Sequence, residues 1–341
     1  MALIGSNDAA DTSTDLDASE AIVLAPASPA PLSADLAAVR ARADGYAAAS
    51  KASNTRRAYD RAWNAFTAWL ADQGRAPFPP SGESVADYVA HLAGEGLAPA
   101  SVDLALAALA STYAAAGFPG LRKHPRVKAV REGFRRASGT AQRAAAPLVA
   151  PELRAVLAAL PSTLAGARDR ALLLVGFAAA LRRSEIVALD VAHVRFVDEG
   201  AIVHLERSKV DQEGEGRDVA IPFGSAIELC PVRALRAWLA LAGITAGPIF
   251  RSVGKAGRLS VERLSDRSVA LIVKAAVERA EIDPAGFSGH SLRAGFATSA
   301  ARAGVALPDL MRQTGHKKAE TALRYVREAD LFRRNAAAGL L

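Results

Sequence analysis

The chain has 341 residues, of which 51% are hydrophobic and 23% are charged, and its formal net charge is +7. This length is more than one hydrophobic core usually serves, so two domains are expected, with enough apolar residues to fill both cores. Alanine supplies much of the apolar content. Because alanine favours helices over strands, the fold should be mainly α. A single cysteine, Cys230, excludes a disulfide framework and a cysteine-based zinc site.

The charge distribution and the apolar runs bear on partners and location. Six acids and no base precede Arg40, so the rest of the chain is more basic than its net charge indicates. Such a surplus favours a polyanionic partner such as nucleic acid, although a merely basic soluble surface fits the charge alone equally well. The longest apolar run, residues 171–181, is too short to span a bilayer, and no positively charged leader opens the chain. We therefore expect a cytoplasmic protein without a membrane partner.

The first part of the chain is predicted to form an acidic tail and a helical domain. Residues 1–35 are rich in Ala, Ser, Pro and Asp without a helical period, which indicates a disordered tail. From Ser53 onward, polar cap residues precede an amphipathic helical stripe made of Tyr59, Trp63, Phe66 and Leu70. Further helices are predicted at about 83–94, 100–116 and 125–137. We therefore expect an all-helical domain over residues 36–137 and a linker at 138–148.

The second part, residues 149–341, begins with helical patterns and then changes period. Three runs rich in β-branched residues follow, VRFVD, AIVHLERSK and RDVAIP, with the turn-forming stretch VDQEGEG between the last two. This pattern predicts a small antiparallel sheet that interrupts the helices, which then resume to the end of the chain. The expected fold class is therefore mainly α with a small antiparallel β-sheet.

Two stretches around this sheet carry polar groups that chemistry could use. In LRRSEIVAL, Arg182 is followed three residues later by Glu185 on the same helical face, a spacing that also suits an ordinary surface ion pair. Lys209 stands at the end of a strand beside the Gly-rich turn, where a solvated hairpin lysine is common. Neither stretch decides a function by itself.

Two later stretches indicate an anionic target. In GHSLRAG, His290 and Arg293 point to one side at the start of a helix, next to free backbone N–H groups that favour an anion. A structural histidine and an exposed arginine fit that spacing as well. In TGHKKAETALRYVR, Tyr325 stands nine residues after His316 and is flanked by Arg324 and Arg327. A buried tyrosine normally has apolar neighbours, so these cations point to an anion near the tyrosine.

The order and spacing of these stretches resemble the tyrosine recombinase, or phage integrase, family. That family has an arginine in an L-R-x-S-E stretch, a lysine on a hairpin, an H-x-x-R box, a G-H box and a tyrosine nine residues beyond it. This chain has LRRSE, SKVDQEGEG, HSLR, TGH and Tyr325 in that order. The resemblance covers about residues 53–341 and is closest to the Cre-type enzymes, through the stretch at 289–316 and the short extension after the tyrosine. His316 stands where Cre-type enzymes can have a tryptophan, and histidine is the commoner choice of the family.

The resemblance implies an enzyme that cuts and rejoins DNA without a metal or nucleotide cofactor. In such an enzyme Tyr325 would be the nucleophile that forms a 3′-phosphotyrosyl link to DNA. Arg182 and Arg293 would stabilise the pentavalent transition state through their planar, permanently charged forks. Glu185 would support the site without reacting.

The resemblance also implies which residues would transfer protons or donate a hydrogen bond to the phosphate. Lys209 would be the general acid for the leaving 5′-oxygen. His290 would be a general base or proton shuttle, and His316 a hydrogen-bond donor to the phosphate.

The resemblance also implies how DNA is held and how subunits assemble. The helical domain, a SAM-like core-binding domain, and the catalytic domain would form a C-shaped clamp on double-stranded DNA. Contacts are predicted from the basic residues Arg56, Arg57, Arg61, Arg135, Arg136 and Arg267. Arg267 lies in the first turn of a helix that begins at the capping residue Ser265. From this position Arg267 would read base edges or only touch a phosphate.

Assembly is expected as a homodimer on one DNA site and a homotetramer when two sites are joined. The apolar stripe at the end of the chain is formed by Phe332, Ala336 and Leu340. In relatives such a short helix docks into the neighbouring subunit, although the same stripe could pack onto its own domain.

Three other functions are weighed against site-specific recombination. A type IB topoisomerase shares the chemistry but acts as a monomer and only relaxes DNA, so the separate helical domain and the terminal helix favour recombination. A DNA-binding protein without catalysis has no need of Tyr325. A metal-dependent nuclease would use His290 and His316 as ligands, but no carboxylate cluster accompanies them in the sequence.

Overall fold

The computed structural model describes residues 34–49, 51–139, 145–206 and 216–330. The chain divides into an N-terminal unit, residues 1–141, and a C-terminal unit, residues 142–341. Nearly all of the predicted acidic tail, Lys209 and the terminal apolar stripe lie outside the described residues. None of the described helices is long and apolar enough to cross a membrane.

The N-terminal unit is helical throughout its described part. Its helices are α1 Ala34–Ala49, α2 Ser53–Asp72, α3 Gly82–Gly94, α4 Pro99–Ala115 and α5 Pro125–Ser138. The predicted stripe of α2 is confirmed in its second half, because Phe66 and Leu70 are buried in the core of this unit. Tyr88 of α3 and Tyr113 of α4 meet Phe66 edge to face in that core. The core therefore depends on aromatic side chains, which bury large apolar areas.

The C-terminal unit combines eight helices with two small sheets in its described part. Its helices are α6 Ala150–Ala158, α7 Leu164–Ala178, α8 Arg183–Ala188, α9 Pro231–Ala242, α10 Asp266–Arg279, α11 Ser291–Arg302, α12 Leu307–Thr314 and α13 Ala319–Asp330. Its strands are β1 Val194–Val197, β2 Gly200–Leu205, β3 Arg217–Pro222, β4 Arg251–Val253 and β5 Leu259–Arg263. The prediction of a mainly α fold with a small antiparallel sheet is confirmed.

The three-stranded sheet has the order β1-β2-β3, and both pairs of strands are antiparallel. Val203 of β2 lies opposite Val219 of β3, and both side chains are buried. Ile221, two residues further along β3, is buried on the same face, as the strand period of two requires. The sheet therefore turns one face to the core of the C-terminal unit, where α7 lies almost wholly buried.

The expectation that helices alone follow the first sheet is wrong. β4 and β5 form a second, two-stranded antiparallel sheet with a register shift between Arg251 and Val253. Its connection contains Gly257 at φ 72°, which suits a tight turn. Most side chains of β5 are exposed, so the stretch lacks the buried alternation by which sequence patterns reveal a strand.

Part of the predicted linker packs against the C-terminal unit. The N–H of Ala146 donates to the carbonyl of Gly286, and the N–H of Leu148 donates to the carbonyl of Ser291, both at 2.9 Å. Leu148 is completely buried. Residues 146–148 are therefore bound to this unit, whereas residues 140–144 of the linker lie outside the described part of the chain.

Candidate active site

The close approach of α7, α8 and α11 positions the two predicted arginines. An added Cβ at Gly176 of α7 would lie 2.9 Å from side-chain carbons of both Ile186 and Leu292. Only a residue without a side chain lets these three helices pack so closely. Arg182, which immediately precedes α8, and Arg293, in the first turn of α11, are thereby brought to the same region.

Arg182 and Glu185 form a buried pair. Arg182 Nη1 donates to Glu185 Oε1 at 2.5 Å, and the backbone N–H of Arg182 donates to Glu185 Oε2 at 2.8 Å. The Glu185 side chain is only 2% exposed, so the pair is not the ordinary surface ion pair that its spacing also suited. The carboxylate therefore caps the start of α8 and fixes the guanidinium at the same time.

Arg293 is a buried cation with a free donor. Arg293 is only 1% exposed, and its Nη1 donates to the carbonyl of Ala180 at 2.8 Å. Its Nη2 is buried and has no hydrogen-bond partner among the described residues. Burial, followed by the nearby charge of Arg182, lowers the pKa of Arg293 to about 10. The group is still charged at neutral pH, and its open donor is suited to an anion.

Ala180, whose carbonyl accepts the hydrogen bond from Arg293, has an uncommon backbone conformation. It follows the C-terminus of α7 with φ at 50°, in the left-handed region that glycine normally occupies. Its carbonyl receives the hydrogen bond from Arg293, and its own N–H donates to the carbonyl of Phe177 at 2.9 Å. The strain at this position, of about 1 to 2 kcal/mol, is consistent with a functional constraint.

A tight helix end places His316. Gly315 ends α12 in the left-handed conformation, with φ at 65°, and His316 follows it. Thr314 Oγ1 donates to the carbonyl of Leu310 at 2.7 Å and lies 2.8 Å from His316 Nδ1. Since the single hydroxyl proton is used on that carbonyl, His316 Nδ1–H is the donor to Thr314. Neutral His316 therefore carries its proton on Nδ1, and its Nε2 is an acceptor.

His316 is neutral in the absence of a ligand. Burial lowers the pKa of His316 to about 4, and the charges of Arg293, Arg182, His290 and Arg324 act in the same direction. The predicted role as a hydrogen-bond donor to phosphate therefore requires a second proton on Nε2. A bound phosphate favours that proton, because it neutralises the surrounding cations.

Tyr325 lies on α13, which packs against α11 and α12. Its half-buried ring contacts an apolar cluster formed by Ala297, Ala300, Leu310 and Ala322. The rings of Tyr325 and His316 are 6.3 Å apart and nearly parallel, at 26°. The charge of an ionised Tyr325 is among the influences that raise the pKa of Arg293, so the hydroxyl lies within electrostatic reach of that arginine. The tyrosine thus lies beside both the histidine and the cations.

The structure therefore brings four of the six predicted catalytic residues to one place, Arg182, Arg293, His316 and Tyr325. His290 is the residue before α11, where its side chain is exposed and its charge reaches His316. Lys209 lies outside the described residues, in the connection between β2 and β3.

Arg217 belongs to the same cluster and was not among the predicted residues. It is the first residue of β3, and its Nη1 donates to the carbonyl of Gln313 at 3.2 Å. Burial is the main influence that lowers the pKa of Arg217, and the charges of Glu185 and Arg182 also act on it. The strand pattern could have found it, because Arg217 shares the inward face of β3 with Val219 and Ile221.

The predicted DNA-contacting arginines of α2 lie on the surface of the N-terminal unit. Arg56, Arg57 and Arg61 are exposed along the helix, on the side away from the buried stripe. Arg57 Nη2 donates to Asn54 Oδ1 at 2.5 Å. These side chains are therefore accessible to a partner.

The two predicted arginines of α5 differ in their freedom. Arg136 is exposed. Arg135 is half-buried in an ion pair with Asp103 at 2.6 Å, and Arg131 pairs with the same carboxylate at 2.5 Å. Arg135 is therefore more restrained than its neighbour.

The predicted start of the helix that carries Arg267 is confirmed. Ser265 is the N-cap of α10, and its side chain accepts from the N–H of Ser268 at 3.1 Å. Arg267 is exposed in the first turn of that helix. The geometry leaves its guanidinium accessible to a partner.

An apolar cavity of about 560 Å³ lies elsewhere in the C-terminal unit. Its walls come from α6, α7, α11 and α12 and from the segment after β3, and they include Leu153, Leu157, Phe177, Phe223, Phe296 and Leu310.

Among the described residues, no group of three or more His, Cys, Asp or Glu side chains is placed to hold a metal ion.

Comparison with known proteins agrees with this geometry. Residues 148–331 match the phage integrase family, and residues 46–117 match the N-terminal SAM-like domain of phage integrases. The integrase/recombinase xerD homolog of Selenomonas ruminantium is 41% identical over 292 residues, 84% of this chain and 85% of that protein. The recombinase cre of Escherichia phage P1 is 26% identical over 290 residues, 79% of this chain and 82% of that protein.

A solved structure shows the same fold. The lambda integrase tetramer bound to a Holliday junction has a TM-score of 0.61 at 19% identity, covering 86% of this chain and 78% of that one. The predicted family is confirmed, whereas "Cre-type" is a loose description, since identity to the xerD homolog exceeds identity to cre. The chain belongs to the phage integrase family and is a tyrosine recombinase, an enzyme of site-specific DNA recombination.

Proposed function

We propose that this recombinase breaks and rejoins DNA strands through a covalent link between Tyr325 and a 3′-phosphate. The observation that carries the proposal is the buried guanidinium of Arg293, whose open Nη2 lies in the region shared by Tyr325, His316 and Arg182. A buried cation with an unfilled donor is costly unless a ligand completes it. A phosphodiester supplies both the charge and the acceptor oxygens.

The chemistry assigns one task to each side chain. The Tyr325 oxygen attacks the phosphorus, its proton is lost, and the bond from phosphorus to the 5′-oxygen breaks. Arg182 and Arg293 donate to the non-bridging oxygens, whose negative charge grows in the pentavalent transition state. Rejoining reverses these steps, with a 5′-hydroxyl as the attacking group. No metal or nucleotide cofactor is needed, because the phosphotyrosine conserves the energy of the phosphodiester bond.

Protons are handled by the remaining residues. Lys209 is proposed as the general acid for the 5′-oxygen, an assignment that rests on the family resemblance alone. His290, exposed beside α11, is proposed to accept or relay the tyrosine proton. His316 becomes a donor to the phosphate once binding has raised its pKa from about 4. Glu185 holds Arg182 in place through two hydrogen bonds and takes no part in proton transfer.

The partner is proposed to be a double-stranded DNA site. Residues 36–137 would act as the core-binding domain, 138–148 as the linker and 149–341 as the catalytic domain, so that DNA is clamped from two sides. The exposed arginines support this, namely Arg56, Arg57, Arg61, Arg136 and Arg267, while the restrained Arg135 would contact a phosphate at most. These contacts release counterions, which makes binding weaken steeply with salt.

Assembly is proposed as a dimer on one site and a tetramer on two sites in the cytoplasm. The apolar cavity lined by Phe177, Phe223 and Phe296 offers a receptor for the terminal segment, residues 331–341, of a neighbouring subunit. Phe332 and Leu340 of that segment are the side chains suited to it. The lambda integrase of similar fold is a tetramer bound to a Holliday junction.

Strand exchange on a defined site tests the proposal against its rivals. A duplex site is first selected from random-sequence DNA with the Tyr325→Phe protein, and two copies are placed in one supercoiled plasmid. The wild-type protein should excise or invert the intervening DNA in the presence of a chelator, and Tyr325→Phe should bind without exchange. Relaxation without exchange would indicate a topoisomerase, and binding without any change of the DNA by the wild type would indicate a DNA-binding protein only. The recombinase relatives favour neither rival.

A further inference from the structure

Arg217 has more buried N–H donors than its contact with α12 requires. Of its three guanidinium nitrogens, Nη1 donates to the carbonyl of Gln313, whereas Nε and Nη2 are buried without hydrogen-bond partners among the described residues. A buried N–H donor left unpaired costs roughly 1 to 3 kcal/mol. If Arg217 only held the end of α12, a shorter or apolar side chain would avoid that cost. The two open donors therefore require an acceptor that the described residues do not supply.

The position of Arg217 is imposed by the strand. Arg217, Val219 and Ile221 share one face of β3, and the latter two are buried in the core. The arginine is therefore turned inward at the point where the sheet meets the end of α12. Its guanidinium lies across Gly315, where an added Cβ would come within 2.9 Å of Arg217 Cζ and Nε. His316 is the next residue, so the arginine borders the predicted active site.

The charges around Arg217 show which ligand would fit. Arg182 and Arg293 are electrostatic neighbours of Arg217, and Glu185 is the carboxylate that acts on both Arg217 and Arg293. In the described part of the chain, three guanidinium groups thus surround one paired carboxylate, which leaves an excess of positive charge in a largely buried site. Together with Arg293 Nη2, three buried donors in this cluster are open. An anion with several acceptor oxygens would satisfy all of them.

We propose that Arg217 is a third arginine that donates to the scissile phosphate of DNA, beside Arg182 and Arg293. The inference rests on the proposed function, because the anion is the phosphodiester that Tyr325 attacks. Its contribution should be largest in the transition state, where the charge on the non-bridging oxygens grows. The hydrogen bond from Nη1 to Gln313 keeps the guanidinium oriented for this contact.

Removal of the phosphate charge separates this role from a structural one. Cleavage is followed on a nicked duplex that carries the selected half-site, with either a normal phosphate or a neutral methylphosphonate at the scissile position. Arg217→Met should slow formation of the covalent adduct about a hundredfold on the phosphate substrate. On the methylphosphonate the same substitution should cost no more than about threefold, because one non-bridging oxygen and its charge are absent and less negative charge develops in the transition state. Equal losses on both substrates, or no loss on either, would overturn the inference.

Arg195→Met provides the matched control. Arg195 is an exposed arginine in β1 of the same sheet, and its replacement should leave both cleavage rates unchanged. If the wild type forms no Tyr325-dependent adduct on the phosphate substrate, the proposed function fails. If the wild type forms the adduct and Arg217→Met cleaves as fast, only the role of Arg217 fails.

A binding cycle decides the case without relying on catalysis. In the Tyr325→Phe background, the parent protein should bind the phosphate half-site more tightly than the methylphosphonate half-site. Arg217→Met should reduce this preference about tenfold, the value of one charge-assisted hydrogen bond. An unchanged preference would refute the contact. If Arg217→Met fails to fold, Arg217→Lys takes its place, because lysine keeps the charge but not the planar fork. Arg217→Lys should lose part of the preference for the phosphate half-site, and an unaltered preference in this variant would also refute the contact.

Discussion

Substitution of Glu185 by glutamine tests whether one carboxylate holds the cationic cluster together. Glu185 pairs with Arg182 at 2.5 Å, and its charge also raises the pKa of Arg217 and of Arg293. The glutamine would keep the size of the side chain and an oxygen for the N–H of Arg182, but it would remove the negative charge. Three arginines would then repel one another in a site where the replaced side chain is only 2% exposed.

The loss can be estimated from buried ion pairs. Breaking such a pair by removing one partner costs about 3 to 5 kcal/mol, and the retained hydrogen bond places Glu185→Gln near the lower limit. For a unit of this size, about 3 kcal/mol corresponds to a fall in Tm of roughly 6 to 12 °C. Urea denaturation and thermal melting of the full-length protein measure both quantities.

Two comparisons make the test specific. Glu228→Gln, at an exposed carboxylate of the same unit, should change the free energy of unfolding by less than about 0.5 kcal/mol. Sulfate at fixed ionic strength should restore more stability to Glu185→Gln than to the wild type, because an anion replaces the missing charge. A loss for Glu185→Gln as small as that of the control, or no additional benefit from sulfate, would refute the counterion role.

Three other predictions concern proton transfer, ionisation and assembly. Lys209→Ala should cleave slowly and be rescued by a substrate with sulfur at the 5′-bridging position, a leaving group that needs no proton; lack of rescue in a cleavage assay excludes the general-acid role. The imidazole of His316 should titrate near pH 4 in NMR spectra of the free protein and higher with half-site DNA. Folding favours the neutral form of His316, so the stabilisation of the folded protein by this group is present above about pH 6.5 and is lost as the pH falls towards 4. An unshifted pKa of His316 would contradict the argument that burial lowers it. Deletion of residues 331–341 should leave binding to one half-site intact but remove about 2 to 4 kcal/mol of cooperativity on two half-sites in gel-shift titrations; unchanged cooperativity would mean that the segment packs onto its own subunit.

Local sequence signals predicted the elements that depend on few neighbours. The stripe of α2 and the Ser265 cap of α10 are set by side chains within one or two turns, and the structure contains both. The hairpin of β4 and β5 escaped prediction because its strands are short and mostly exposed, which leaves little periodicity to detect.

The site was predictable in its residue types but not in its electrostatics. Spacing placed Arg182 near Glu185, yet their burial comes from the packing of α7 on α8 and α11, which is long-range. Arg217 was missed because an arginine directly after a Gly-rich turn is typical of a solvated strand end. The signal that it points inward is its alternation with Val219 and Ile221 on one face of β3, both of which are buried. The low pKa of His316 likewise depends on burial and on cations from separate parts of the unit.

The covalent link itself is the most direct test of catalysis by Tyr325. Wild-type protein is incubated with a nicked half-site duplex and a chelator, the adduct is digested with trypsin and nuclease, and the modified peptide is sequenced by mass spectrometry. A single modified residue, Tyr325, should carry a nucleotide through its 3′-phosphate, and Tyr325→Phe should give no adduct. A link to any other residue, a 5′-phosphate link, or cleavage that persists in Tyr325→Phe would contradict this mechanism.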